Sequence, residues 1–126
     1  MISDENVARA LGRGHVIDIT TTGRRTREPR RVEIVFHNIG GRIYISGTPR
    51  RERRSWLANL DADPNLTFHL KGAVKADLPA TARIIDEEAE RRDVLPHVAR
   101  AWKRSDLEDM VRYSPLIEVT FGPSAN

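Results

Sequence analysis

No cysteine occurs among the 126 residues, which excludes disulfides, thiol nucleophiles and thiolate metal sites. Aromatic residues are scarce at 6%, so the core has to be built mainly from aliphatic side chains. No apolar run approaches the roughly 20 residues that a membrane-spanning helix needs. The start, Met-Ile-Ser-Asp-Glu-Asn, has neither the basic residues nor the apolar run of a signal peptide. The expectation is a soluble, cytoplasmic chain with no membrane partner. His15, His37, His69 and His97 are scattered, with no i, i+4 pair and no carboxylate cluster beside them, which argues against a metal site. Also missing are a Ser/His/Asp order, a Walker-type loop and a glycine-rich dinucleotide fingerprint. Acidic residues gather where helices are expected to start, and the helix dipole accounts for them there. Whatever chemistry occurs is therefore expected to come from a bound organic cofactor, with no catalytic side chain of the protein's own.

Lysine is the last scarcity. Of 21 basic residues only Lys71, Lys75 and Lys103 are lysine, and the rest are arginine. High-GC codon usage is one explanation. The other is use: arginine presents a planar, permanently charged fork that suits phosphate and carboxylate. The net charge is +3.

A chain of this length suffices for one domain, residues 1–126, and is too short for two. A short helix is expected over Asp4–Leu11. His15–Thr22 reads as a first strand, with Ile17, Ile19 and Thr21 on one face. Arg30–Asn38 alternates, Val32, Ile34 and Phe36 against Arg31, Glu33 and His37. Asn38–Gly41 is a hairpin turn leading into a third strand, Arg42–Ser46. Asn65–Leu70 is a fourth, with Leu66, Phe68 and Leu70 inward and His69 on the opposite, surface side. Val74–Ile84 is a long fifth, bent at Pro79 around a barrel corner. Asp86 is expected to cap a helix running to about Trp102, broken or kinked near Pro96. Ser105–Glu108 reads as the capping box of one more short helix. Leu116–Phe121 is the last strand and Gly122–Asn126 a tail. Six mostly antiparallel strands with two to four short helices make an α+β fold, and closing the sheet into a barrel removes its exposed edges.

Two basic segments carry the functional signal. One is the turn Gly23-Arg-Arg-Thr-Arg-Glu-Pro-Arg-Arg31. The other is the loop Gly47–Arg54, with the run Arg50-Arg-Glu-Arg-Arg54, opening onto a helix over Ser55–Leu60 that Asp61–Pro64 stops. Taken alone, such charge runs are usually solvated loops. A hairpin of strands two and three, however, brings both to one end of the barrel. Guanidinium groups from two loops at one rim, beside a helix N-terminus, make an anion pocket. Trp56 is expected either in the core or as a pocket wall against a flat ring, and Asn59 as a structural residue bonding nearby backbone.

Thr20-Thr-Thr-Gly23-Arg-Arg-Thr26, Pro29-Arg-Arg31, Arg42-Ile-Tyr-Ile-Ser46, Trp56-Leu-Ala-Asn-Leu60 and Asp63-Pro64, in that order and spacing, resemble the deazaflavin-dependent nitroreductase family. The resemblance covers roughly Ile17 to Trp102. It implies a split β-barrel that binds coenzyme F-420, a 5-deazaflavin with a phosphate and an oligoglutamate tail. It further implies hydride transfer to a small organic acceptor such as a nitro or quinone compound. By the same resemblance Arg25, Thr26 and Arg30 lie against the phosphate and tail. Ser46, Gly47, Thr48, Arg50, Arg53 and Arg54 form the loop around the phosphate and ring edge, and Trp56 stands beside the ring. Arg27 stands where the family usually has glycine, Thr48-Pro49 where it has a glycine pair, and Leu57 where it has tyrosine. Tyr113 is the candidate left for the substrate pocket. FMN is the alternative cofactor, in a related split barrel or a non-catalytic binding module. A homodimer is a further expectation, because split barrels of this group often close their cleft with a second chain. Nucleic acid is the remaining alternative for the arginine patch, disfavoured because no exposed aromatics stand among the arginines for base stacking.

Overall fold

The computed structural model describes residues 5–12 and 14–122. Asp4 and residues 123–126 of the expected tail lie outside them. The β-branched, alternating segments form six strands: β1 Val16–Thr22, β2 Pro29–Ile39, β3 Arg42–Ser46, β4 Asn65–Lys71, β5 Lys75–Ile84 and β6 Leu116–Phe121. They close into an antiparallel barrel in the order β1-β2-β3-β6-β5-β4, with β4 returning to β1. This is the expected α+β split-barrel architecture. Four helices accompany it: α1 Glu5–Leu11, α2 Ser55–Ala62, α3 Glu88–Ala101 and α4 Leu107–Tyr113.

The period-two pattern fills the barrel. Ile17, Ile19, Phe36, Ile45, Phe68 and Ile117 are fully buried, joined by Trp56, Leu57 and Leu60 of α2. Phe36 and Phe68 meet edge-on at 5.2 Å, and Phe68 meets Phe121 at 5.0 Å. A second core lies between the barrel's outer face and α3 and α4, built on Tyr44, Leu95, Val98, Met110 and Leu116. β5 pairs with β4 over Lys75–Thr81 and with β6 over Ala80–Ile84. Pro79 falls where the strand passes from one partner to the next, so its missing N–H costs little of the ladder.

Three helix expectations are corrected. α3 starts at Glu88 with Glu87 at its N-cap, not Asp86, and no side chain caps it. Glu88 and Glu90 in its first turn supply the favourable charge instead. Pro96 does not break α3, which continues to Ala101. Proline removes the N–H that would meet the Arg92 carbonyl, and Arg92 is exposed, so water can serve that carbonyl. The Ser105–Glu108 capping box does not form: Asp106 precedes α4, and its carboxylate is taken by Arg104 at 2.6 and 2.9 Å.

His69 is likewise not at the surface. Only 7% exposed, it is held between Thr20 Oγ1 and Asp77 Oδ1, each at 2.7 Å. The strand alternation gave its face correctly, but neighbouring outer-face side chains cover it. His37, on the outer face of β2, is buried in the same sense, with Trp102 packed on its ring at 5.1 Å.

Candidate functional site

β2 has two partners in succession. Pro29–Val35 pairs with β1, and Phe36–Ile39 pairs with β3, which ends at Ser46. Among the described residues, the second edge of Pro29–Val35 therefore has no strand beside it. The chain leaves β3 through the Gly47–Arg54 loop into α2, and a cleft of about 820 Å3 opens between that loop and the free edge. Six consecutive residues of β2, Arg30–Val35, line it, as a strand edge does when both of its faces are within reach. Opposite and around them stand Arg24, Arg25 and Thr26 of the β1–β2 turn, Ser46, Gly47, Thr48, Arg50 and Arg54, then Ser55, Trp56 and Asn59 of α2, and Trp102.

Asn59 locks the two basic segments together. Its Oδ1 accepts from the Arg24 backbone N–H at 3.1 Å and from Arg24 Nη1 at 3.0 Å, while Nδ2 donates to Thr21 Oγ1 at 3.1 Å. The backbone it bonds is thus 35 residues away in sequence, not nearby. The turn itself closes through Gly23 N–H to Glu28 O at 2.8 Å and Arg27 N–H to Gly23 O at 2.9 Å. Arg27 takes φ 62°, the left-handed backbone that favours glycine, which accounts for the glycine usual there. In the second loop, Arg54 Nη2 donates to Thr48 O at 2.8 Å and to Thr48 Oγ1 at 3.1 Å. Gly47 makes room for that guanidinium, since a Cβ there would sit 3.0 Å from Arg54 Cζ and 3.1 Å from Pro115 Cγ. Ser46 Oγ donates to the Pro115 carbonyl at 2.6 Å and anchors the end of β3.

The charge of the cleft is one-sided. Six arginines line it against a single acid, Glu33, and Glu33 is engaged by Lys71. Arg31 is held by Asp18 at 2.9 Å, Arg24 by Asn59, and Arg30 by Thr26 Oγ1 at 3.3 Å. The Arg25 and Arg50 side chains have no hydrogen-bond or ion-pair partner among the described residues. Burial, and then the charge of Arg50, push the pKa of Arg54 down. No side chain caps α2, so its first N–H groups also face this loop. An anion seated here would relieve the repulsion between Arg50 and Arg54 and engage guanidinium groups that the protein leaves idle. The far end of the cleft is different: Val32, Ile34, Val35 and Trp102 give it an apolar wall.

Of the residues expected at the site, Arg25, Thr26, Arg30, Ser46, Gly47, Thr48, Arg50, Arg54 and Trp56 line this one cleft. Trp56, 8% exposed, is at once core and wall. Arg53 and Tyr113 lie elsewhere. Arg53 bonds Asp61 at 3.2 Å, and both it and Tyr113 line a second, polar cavity of about 690 Å3, also bordered by Arg50 and Arg54. Arg51 sits over the Tyr113 ring there, 5.6 Å from its centre. Arg24, Trp102 and the open edge of β2 were not foreseen. The strand edge was detectable in principle: β2 is 11 residues long and β3 only 5, so part of β2 had to outrun its partner.

No group of three or more metal-ligating side chains occurs among the described residues, and no helix there is long and apolar enough to cross a membrane. The class defined by this fold and site is a split barrel with an arginine-lined, ring-sized cleft. Residues 2–113 match the F-420H(2)-dependent quinone reductase family, and the chain belongs to that family of deazaflavin-using oxidoreductases. Solved structures agree in fold. A conserved hypothetical protein from Mycobacterium tuberculosis is 17% identical with TM-score 0.74, over 98% of this chain and 82% of the other. An F-420-H2 dependent reductase is 21% identical with TM-score 0.61, over 83% and 93%. A domain-swapped dimer is 20% identical with TM-score 0.54, over 92% and 95%. At these identities the likeness is one of fold.

Proposed function

We propose that the cleft binds coenzyme F-420 and that the protein uses its reduced form to reduce a quinone. The observation that carries this reading is the set of unspent charges: Arg25 and Arg50, whose side chains have no partner among the described residues, beside Arg54, in a cleft whose one acid among those residues is already engaged. Arg25, Arg30, Arg50 and Arg54 would hold the anionic part of the coenzyme. Gly47 and Thr48 would follow it closely, and Trp56 would stand against the ring. When bound, the reduced deazaflavin supplies a hydride to the acceptor. The chain contributes position rather than a nucleophile. The apolar wall of Val32, Ile34, Val35 and Trp102 keeps water from the ring. A cavity of this size is in the range of small-molecule sites.

The open edge of β2 and the arginine-poor side of the cleft also support a homodimer in which a second copy covers the split. Size-exclusion chromatography with light scattering checks that point.

The deciding experiment titrates the purified protein with F-420 and, separately, with FMN. Quenching of F-420 fluorescence with micromolar or tighter affinity is the expected result. Turnover of a quinone in preference to a nitroaromatic by the reduced coenzyme completes the assignment. Tight binding of FMN with none of F-420 would replace the deazaflavin by a flavin, and faster turnover of the nitro compound would change the acceptor.

A further inference from the structure

At its apolar end the cleft adjoins a smaller cavity of about 570 Å3, and Val35 and Trp102 line both. Its floor includes His37, and His97 stands on its rim. His37 is buried, with only 8% of its surface exposed, and its Nε2 has no hydrogen-bond partner among the described residues. A buried polar atom without a partner is costly, and is rare enough in folded proteins to call for a reason. Nothing in the packing supplies one. Asn38, next in the chain, is engaged at both ends of its amide: it donates to Leu11 O at 2.8 Å and accepts from Gly41 N–H at 3.0 Å. His37 meets instead the indole of Trp102, tilted at 60°. Trp102 is the residue that ends α3, and the next one, Lys103, has φ 55°. The indole is therefore carried at a helix end and is only half-buried, not fixed within a turn of helix.

We propose that the cavity lined by Trp102 and His37 is the binding site for the ring of the electron acceptor, a flat aromatic carbonyl compound of the quinone class. The indole of Trp102 offers a stacking face, and His37 Nε2 offers the polar contact that such a ring needs at its oxygen. The neutral imidazole serves both ends of the reaction. Its Nε2–H tautomer donates to a quinone carbonyl, and the other tautomer accepts from a quinol hydroxyl. Entry of the ring shifts the indole off His37 and gives the orphaned nitrogen its partner. The shared wall at Val35 and Trp102 keeps this site in contact with the cleft. That the ligand is the electron acceptor rests on the reductase reading above; the binding itself does not.

The test uses the protein without coenzyme and 1,4-naphthoquinone as the probe, followed by tryptophan fluorescence. Saturable quenching is expected in the wild type and loss of most of it in Trp102→Phe, which assigns the reporter. His37→Phe keeps the ring shape and removes the nitrogens, and it should bind the quinone about three- to tenfold more weakly, the worth of one hydrogen bond. His37→Gln, which restores an N–H, should recover part of the loss. Thermal melts of each variant establish that it is folded, and F-420 affinity should be unchanged in His37→Phe. Equal quinone affinity in wild type and folded His37→Phe, or no saturable quenching in the wild type, overturns the proposal. Quinone binding in a protein that ignores F-420 would sustain this site while removing the cofactor assignment.

Discussion

Arg91 and Arg25 carry the same side chain to opposite ends. Arg91, on α3, is 9% exposed and has no carboxylate bonded to it. It donates instead to four backbone carbonyls: Ile85 at 2.9 Å, Met110 at 3.0 Å, Val111 at 2.8 Å and Ser114 at 2.5 Å. Those carbonyls belong to the residue just after β5, to α4 and to the turn into β6. One guanidinium thus ties the outer layer to the barrel. Burial pulls its pKa down, and the carbonyl dipoles compensate by holding the charged fork. Arg25, on the β1–β2 turn, is exposed and bonded to nothing among the described residues. The difference separates structure from function in a chain rich in arginine. Where the protein needs the fork for itself, every nitrogen of it donates; where it needs a ligand, the fork is left open.

The largest effect should come from breaking the first of the two. Arg91→Ala removes a donor set from four carbonyls, all of them on buried residues, and should cost about 3 kcal/mol or more in urea unfolding. A loss under about 1 kcal/mol would mean that the hub is not one, and the contrast with the cleft would fail. Next comes Arg25→Ala. Stability should stay within about 0.5 kcal/mol, while F-420 affinity drops by about 1–3 kcal/mol, the worth of a charge-assisted hydrogen bond. An unchanged titration curve would place the anion elsewhere.

The two arginines were not equally legible in sequence. The basic turn announced itself by composition, and the hairpin of β2 and β3 was enough to send it toward the Gly47–Arg54 loop. Strand alternation placed the barrel core residue by residue, because period two holds wherever one face is apolar. Arg91 left a fainter mark. It shares a helix face with Val94, Leu95 and Val98, all buried, so an arginine in an apolar stripe was the available signal. Caps were read less well. Asp86 and Ser105 are suitable residues, yet side-chain capping needs the chain to enter the helix at that residue, and α3 and α4 start two residues later. Trp102 and His37 could not be paired from sequence at all. Their contact depends on how α3 packs across the outer face of the barrel, a tertiary fact with no local pattern behind it.

Asn59 sharpens the comparison from between. It spends its amide within the protein, as Arg91 does, but on behalf of the cleft. Asn59→Ala should cost about 1–2 kcal/mol by leaving Thr21 Oγ1 and the Arg24 N–H without their partner. It should also weaken F-420 binding, since the turn that bears Arg25 loses its tie to α2. Loss of stability with full binding would show that Arg25 is positioned by the turn's own bonds, those of Gly23 and Arg27, and not by α2.

The smallest effect belongs to arginines of a third kind, fully paired at the surface. Arg92 bonds Glu88 at 2.8 Å and Glu108 at 2.8 and 2.9 Å. The Glu108 carboxyl is held below its usual pKa of 4.5, chiefly by that hydrogen bond and then by the charge of Arg92. A depressed folded pKa means that the unfolded chain binds the proton first. The pair's contribution is therefore present above about pH 4.5 and disappears as pH falls through the lowered value. Melting wild type and Glu108→Gln side by side should show a small gap at pH 7 that closes in acid. Because both side chains are exposed, solvent and salt screen the pair, so the gap should shrink in 1 M NaCl as well. The Arg91 defect should not: its partners are buried carbonyls, out of reach of dissolved ions. A salt-insensitive Glu108 gap, or an Arg91 defect rescued by salt, would erase the distinction between arginines that the fold consumes and arginines it merely decorates.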